Sequence, residues 1–484
     1  MAALAPHDLA ADVVTLDHWI GGAAVPPADG GYLDRRSPAD HRLVSRVALG
    51  QAVDVAAAAA AASGAATGWR AAKPIERGRI LLAIAAAIRE SAAELADLEC
   101  AETGKPRAAA VPEIESAAAY FEFYGTLVNL PAGDVLDLGP GYHIYTRHEP
   151  FGVVGVITPW NVPIPQAARA CAPAIAAGNT VVAKPSEFTS ATTVRLAQLA
   201  TQAGLPDGVF NVVLGRGPEA GAALVEHPAV RKVAFTGSVA AGRAIGHVAA
   251  ERIIPLTLEL GGKSANIVFE DADLVHAADR AVSAFTVNCG QVCSAGTRLL
   301  VQRPVYDEFV CRLVERVNSL DLRSQVGPLI TDAQYEKVTA YFQLAIQDGL
   351  ETATGGAAAE DQSLHDGNFV MPTIYTEVGN TARLAREEVF GPVVVVIPFD
   401  DEAEAVALAN DSDYGLVAGI WTSDVCRAIR VAENLDVGQV FVNTWATGAV
   451  ETPFGGYKMS GYGREKGIEA LRQHQQLKTV TIAV

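Results

Sequence analysis

The run Phe285-Thr-Val-Asn-Cys-Gly-Gln-Val-Cys293-Ser-Ala-Gly sets Cys293 in a loop-like stretch after a helical one, where its sulfur could be accessible. A thiolate is a strong nucleophile toward carbonyl carbon, and local fields can lower its pKa from about 8.5 into the working range. Most free cysteines are packing residues, so the local sequence leaves both roles open. Cys289 invites a metal or redox reading, but no companion Cys-x-x-Cys or nearby His pair completes a site, and no metal is expected. Glu259 ends the apolar run Ile253 to Leu258, just before the diglycine Gly261-Gly262. At a strand end beside an apolar wall its pKa can rise toward neutrality, which suits general-base work on water; a surface glutamate at a turn is the alternative. In Thr158-Pro-Trp-Asn161-Val-Pro, the Asn161 amide follows the strand-like Val153 to Ile157 and could donate to an oxyanion, or simply form a turn.

Three features suit a nucleotide. Ala183-Lys184-Pro-Ser-Glu187 leaves a strand with a cation and a carboxylate able to bond ribose hydroxyls. Phe235-Thr-Gly237-Ser238 ends a strand and opens a helix, offering free N–H groups to an anion. Gly215-Arg-Gly217 also follows a strand but departs from G-x-G-x-x-G, its third glycine being Gly221.

The elements that must position these residues read as α/β. Short β-branched runs, Val153 to Thr158, Thr180 to Ala183, Val209 to Leu214 and Lys232 to Thr236, alternate with helix-length alanine-rich segments, implying a parallel sheet under helices. A second such block has strands at Val393 to Pro398, Leu416 to Thr422 and Gln439 to Asn443, with helices at Glu402 to Asn410 and Asp424 to Asn434. The alanine run from Ala56, with the apolar spacing through Ile88, predicts a helical hairpin. Leu130 to Arg147 and the strand-like Thr479 to Val484 are expected to pair with something, such as another subunit.

The 484 residues suffice for about two to four domains with large cores. With 50% hydrophobic and 19% charged residues the chain is expected to fold, and its net charge of −18 disfavours nucleic acid and anionic membranes as partners. Six scattered cysteines fit a reducing compartment; with no leader or membrane span legible, cytoplasm is the expected address.

Taken together, the motifs resemble the aldehyde dehydrogenase superfamily, in its NAD(P)-dependent, hydrolytic, non-CoA branch, over nearly the whole chain. The signatures stand in order: Pro159-Trp-Asn161, Lys184-Pro-Ser-Glu187, Phe235-Thr-Gly-Ser238, Glu259-Leu-Gly-Gly262, Gly290-Gln-Val-Cys293, Glu387-Glu388-Val-Phe-Gly-Pro392 and Pro453-Phe-Gly-Gly-Tyr-Lys-Met-Ser-Gly461. The resemblance implies a Rossmann-like cofactor domain (1–127 and 150–258), a second α/β catalytic domain (259–464) and a small β oligomerisation arm with the tail (128–149 and 465–484). It implies that Cys293 attacks an aldehyde, that Asn161 and the Cys293 backbone N–H hold the oxyanion, and that Glu259 activates the water that opens the thioester. Cofactor contacts are expected from Thr158, Trp160, Lys184, Ser186, Glu187, Gly217, Phe235, Thr236, Gly237, Ser238, Leu260, Glu388 and Phe390. Glu187 favours NAD over NADP, since a carboxylate repels a 2′-phosphate.

The chain also departs from the pattern. Ala170, with Arg169 one step earlier, stands where many relatives carry a lysine that relays protons with a tail glutamate, here Glu465, so no relay is expected of Glu465. The tunnel positions Val162, Val287, Val292, Ser294, Trp445 and Gly448 include several that are often aromatic in relatives, and a bulky apolar or aromatic aldehyde is expected. A cysteine hydrolase or acyltransferase without redox would leave the nucleotide motifs unused. A structural protein on the same fold would not need Cys293, Glu259 and Asn161 together. A dimer or tetramer is expected.

Overall fold

The computed structural model describes residues 13–130, 133–446 and 448–484. Two large sheets organise it, in line with the α/β expectation. In the first, β1 (Val153–Ile157), β2 (Thr180–Lys184), β3 (Phe210–Val212), β4 (Val230–Thr236) and β5 (Leu256–Glu259) run parallel in the order 5-4-1-2-3. Short antiparallel strands flank it: Gly461–Tyr462 beside β5, His18–Ile20 beside β3 and Ala23–Val25 beyond. All of β1 and β2 is buried, which is why they read as unbroken apolar runs. From β1 the chain steps outward through β2 and β3 and then crosses back to β4 on the other side of β1, so the strand order reverses there and a crevice opens at the carboxyl ends of the strands. Ile157 pairs with Lys184 and Phe235, and Thr236 with Glu259, so the motif residues leave the sheet along one edge.

The second sheet contains β6 (Ala265–Val268), β7 (Arg298–Gln302), β8 (Val393–Phe399), β9 (Val417–Trp421) and β10 (Gln439–Val442), all parallel, extended beyond β8 by Thr373–Thr376 and the antiparallel Glu351–Thr354. Apolar clusters on its two faces are built around Phe269, Phe399 and Leu300, and around Phe285, Phe309 and Trp421.

The expected helical hairpin is instead two helices that pack elsewhere. α1 (Ala52–Ala71) lies on β2 and β3, while α2 (Pro74–Glu90) packs on α3 (Arg107–Leu127). The small side chains Ala58, Ala59 and Ala62 let α1 approach the sheet closely, and so bind it there rather than to α2. The arm and tail strands pair with one another within the chain: Gln475–Ala483 runs antiparallel to Tyr142–Pro150, which pairs with Val135–Leu136. The terminal strand is longer than expected because Gln475 to Lys478, polar in sequence apart from Leu477, continue the ladder. Among the described residues, no helix is long and apolar enough to cross a membrane.

Candidate active site

A cavity of about 240 Å³ lies at the crevice, with walls from both sheets. The loop after β1 brings Trp160 and Asn161, the turn after β4 brings Thr236, Gly237 and Ser238, and the end of β5 brings Glu259, Leu260 and Gly261. Opposite them stand Cys293, Glu388 and Phe390 from the second sheet's connections. Cys293 follows α4 (Leu274–Thr286), which Asp273 caps by accepting from His276 N at 3.1 Å. A tight turn then carries Asn288 and Cys289 at φ 53° and 55°. Cys289 is fully buried against the second sheet's core, so the two thiols have different surroundings. No group of three His, Cys, Asp or Glu side chains placed to hold a metal occurs among the described residues.

The electrostatics at Cys293 run opposite to the lowering its sequence allowed. Burial pushes the thiol up to about 12; Arg169 opposes the rise and Glu259 and Glu388 reinforce it. The protonated thiol is therefore the resting form, and attack needs a base. Glu259 is 1% exposed, and neither carboxylate oxygen has a hydrogen-bond partner. Leaving such a carboxylate charged costs several kcal/mol, so the group keeps its proton instead. Burial first and Glu465 second push it up to about 8, against the charges of Arg169, Arg464 and Lys466. The expected rise toward neutrality is present, from desolvation and a like charge.

Asn161 is held from behind. Its backbone carbonyl accepts from Lys105 Nζ at 3.0 Å and Asn288 Nδ2 at 2.8 Å. Its side-chain nitrogen donates to Gln291 O at 2.9 Å, leaving the second N–H of the amide to a ligand. Gln291 is itself tied to Asn288, Pro328 and Ile330, which fixes the loop before Cys293. The diglycine explains how the sheets meet. A Cβ on Gly261 would fall 2.2 Å from Glu388 Oε2, and one on Gly262 would fall 2.6 Å from the Cys293 carbonyl oxygen. Glu388 Oε1 accepts from Gly262 N at 2.9 Å.

On the nucleotide side, Ser238 caps α5 (Val239–Arg252) by accepting from Ala241 N at 3.2 Å, so the amino end of that helix faces the cavity beside Gly237. The Phe235 ring lies under Gly237, where a Cβ would come within 2.5 Å of it. Phe390, at φ 59°, meets Trp160 edge-on with ring centroids 5.3 Å apart. Lys184 and Glu187 form an ion pair at 3.3 Å at the next strand end, outside this cavity's walls. Thr158 N donates to Lys184 O at 3.2 Å, and Ser186 Oγ accepts from Phe188 N at 3.3 Å, so both shape the turn. Gly217 borders open space, with nothing near enough to require a glycine.

Of the residues expected to line a tunnel, Val162 lines a second cavity of about 270 Å³ with Tyr120, Gln166 and Arg169. Val292 and Ser294 flank Cys293 half-buried, while Val287 and Gly448 are exposed. Trp445 is 7% exposed and packs on Phe441 and Phe454. None of these five lines either cavity. Glu465 forms an ion pair with Arg169, so the residue before Ala170 supplies the cation at this position. Gln334, Lys337 and Gln166 also line the catalytic cavity, and Lys105 supports Asn161. These four were missed, because each lies in an ordinary helical or turn context with no local signature.

The sequence matches the aldehyde dehydrogenase family over residues 25–480. It is 42% identical over 475 residues to a betaine aldehyde dehydrogenase of Mesorhizobium japonicum, covering 97% of each chain. A crystal structure of an aldehyde dehydrogenase from Burkholderia cenocepacia superposes with a TM-score of 0.94 at 40% identity, over 96% of this chain and 97% of that one. The indole-3-acetaldehyde dehydrogenase AldA of P. syringae, solved with NAD+ and IAA, superposes with a TM-score of 0.96 at 36% identity over 100% of both chains. With this match across both sheets and all the signatures between them, the chain belongs to the aldehyde dehydrogenase family.

Proposed function

We propose that this protein oxidises an aldehyde to a carboxylic acid by covalent catalysis on Cys293, with NAD as its cofactor. The observation that carries the reading is one cavity holding a thiol, an amide with a spare N–H, and a buried carboxylate with no partner. The residues present fit a dinucleotide. The capped amino end of α5 offers N–H groups to a pyrophosphate, Lys184 and Glu187 offer a cation and a carboxylate to a ribose, and Glu388, held over Gly261 by Gly262 N, offers acceptors to the second ribose. Glu187 favours NAD, since a 2′-phosphate would meet its charge.

In the first step the Cys293 thiol passes its proton to water in the cavity, with Arg169 favouring the thiolate, and the sulfur adds to the aldehyde carbon. The oxygen that becomes negative is received by the Asn161 amide and the Cys293 N–H. A bound nicotinamide supplies the hydride acceptor that turns the thiohemiacetal into a thioester. Glu259 then deprotonates a water that attacks the thioester carbonyl, and the acid leaves with the Cys293 thiol restored. Arg169, whose charge Glu465 sustains against burial, favours the thiolate that leaves.

A bulky apolar or aromatic substrate, expected from Val162, Val287 and Gly448, finds no support in these walls. The cavity beside Val162 carries Arg169, Lys466 and Glu113. The exposed apolar residues Val135 and Leu477 on the arm sheet, with Leu138 and Val484 just outside its strands, support a homo-oligomer, and the free cysteines support a cytoplasmic setting. The test is the purified protein with NAD or NADP and an aldehyde panel, followed by reduced-nicotinamide absorbance. Aldehyde-dependent reduction lost in Cys293→Ala is expected; acyl transfer or hydrolysis without nucleotide would favour the cysteine hydrolase reading.

A further inference from the structure

Resting on the aldehyde-oxidising reading, we propose that the natural substrate carries a carboxylate at the end remote from its aldehyde, received by Arg169 and Lys466. The second cavity adjoins the catalytic one, and Gln166 forms part of the wall of both. Val162, Pro165, Gln166 and Arg169 recur at helical spacing along the segment that begins at Asn161, so they present one face. Asn161 marks the aldehyde end of that face and Arg169 the far end.

One of the cations there, Lys466, lacks an ion-pair partner among the described residues. Arg169 has its side chain 8% exposed and pairs with Glu465, yet its Nη2 is buried without a hydrogen-bond partner. Lys466 has no carboxylate within ion-pairing distance among the described residues. Its Nζ lies 5.2 Å from the centroid of the Phe454 ring, and the Arg169 guanidinium lies 5.3 Å from the same centroid. Glu113, the one carboxylate in that wall, is committed to Lys105 Nζ at 2.6 Å. Of the two carboxylates that act on both cations, Glu465 is already paired with Arg169 and Glu259 is held up to about 8. Burial, with Arg169 behind it, pushes the Lys466 ammonium down to about 8, against the opposing pull of Cys293, Glu465 and Glu259.

The backbone adds an independent sign. Lys466 sits at φ 59° and ψ 170°, a region that glycine takes almost alone and that other residues keep chiefly at functional sites. From Val162 to Arg169 the helix rises roughly 10 Å, and the arginine side chain slants back toward the helix start, which leaves space for a chain of about four to six carbons. A quaternary ammonium would meet two cations there. A neutral ring would leave Lys466 without a partner.

The experiment compares 5-oxopentanoate, pentanal and betaine aldehyde as substrates of the full-length protein with saturating NAD. The expected result is a kcat/KM for 5-oxopentanoate at least ~10-fold above pentanal, mostly through KM, with betaine aldehyde lower still. In Lys466→Met the ratio of 5-oxopentanoate to pentanal falls ~10-fold, and in Lys466→Arg most of it returns. Pentanal or betaine aldehyde oxidised as well as 5-oxopentanoate overturns the proposal while leaving aldehyde oxidation standing, as does a ratio unchanged in Lys466→Met. No NAD reduction with any aldehyde overturns both.

Discussion

Replacing Glu465 by Gln removes a like charge from beside Glu259 and frees Arg169 to favour the ionised carboxylate. Glu465 is the largest cause after burial for the rise of Glu259 to about 8, and Arg169 is the largest opposing one. Both changes act in the same direction, so the Glu259 pKa falls, by on the order of one pH unit for a neighbouring charge of this kind. At pH 7 the ionised fraction then grows from about one tenth to about one half, and water activation quickens about fivefold. Only the deprotonated form acts as base, so the rising limb of the profile moves toward acid. The assay is single-turnover acid release from preformed acyl-enzyme between about pH 5.5 and 9.5. The substitution also leaves Arg169 buried without its carboxylate, at a cost of about 3–5 kcal/mol, so circular dichroism must first confirm a native fold. A Glu465→Asp control, which keeps the charge, holds the midpoint near 8. A midpoint that stays or rises in Glu465→Gln would refute the reasoning and turn Glu465 back into a relay candidate.

Glu259→Gln gives one stoichiometric burst of reduced nicotinamide and then stalls, because the amide cannot deprotonate water; a steady rate near the native one in rapid-mixing assays counts against its role. Gly261→Ala drives a methyl to within 2.2 Å of Glu388 Oε2 and displaces that carboxylate, raising the KM for NAD about 10-fold or more with a smaller effect on aldehyde KM. Lys105→Met removes the bond to the Asn161 carbonyl and loosens the oxyanion site. A loss of about 10-fold or more in kcat/KM is expected, falling mainly on kcat. It also leaves Glu113 without its closest cation, so thermal unfolding is followed alongside.

The parallel sheets were legible because fully buried strands such as β1 and β2 are unbroken apolar runs bounded by turns. The edge on which Asn161, Lys184, Gly237 and Glu259 emerge followed from the same pattern, since each motif directly follows a strand. What the sequence hid is set by distant contacts. The placement of α1 on the sheet rather than on α2 depends on which alanine faces meet which surface, and an all-round apolar helix does not declare that. The direction of the thiol pKa was not legible, because sequence displays charged neighbours but not their balance against desolvation, which here outweighs Arg169. Lys105 and Gln291 act on Asn161 across 56 and 130 residues of chain, beyond the reach of any local motif.

The central claim is that the substrate becomes covalently attached to Cys293 and nowhere else. Glu259→Gln protein quenched in acid after mixing with NAD and 5-oxopentanoate or pentanal, then digested and mapped by mass spectrometry, tests it most directly. One acyl group per chain is expected on the peptide carrying Cys293, absent in Cys293→Ala and absent without NAD. Acyl on Cys289 instead, or native NAD reduction by Cys293→Ala, would contradict it.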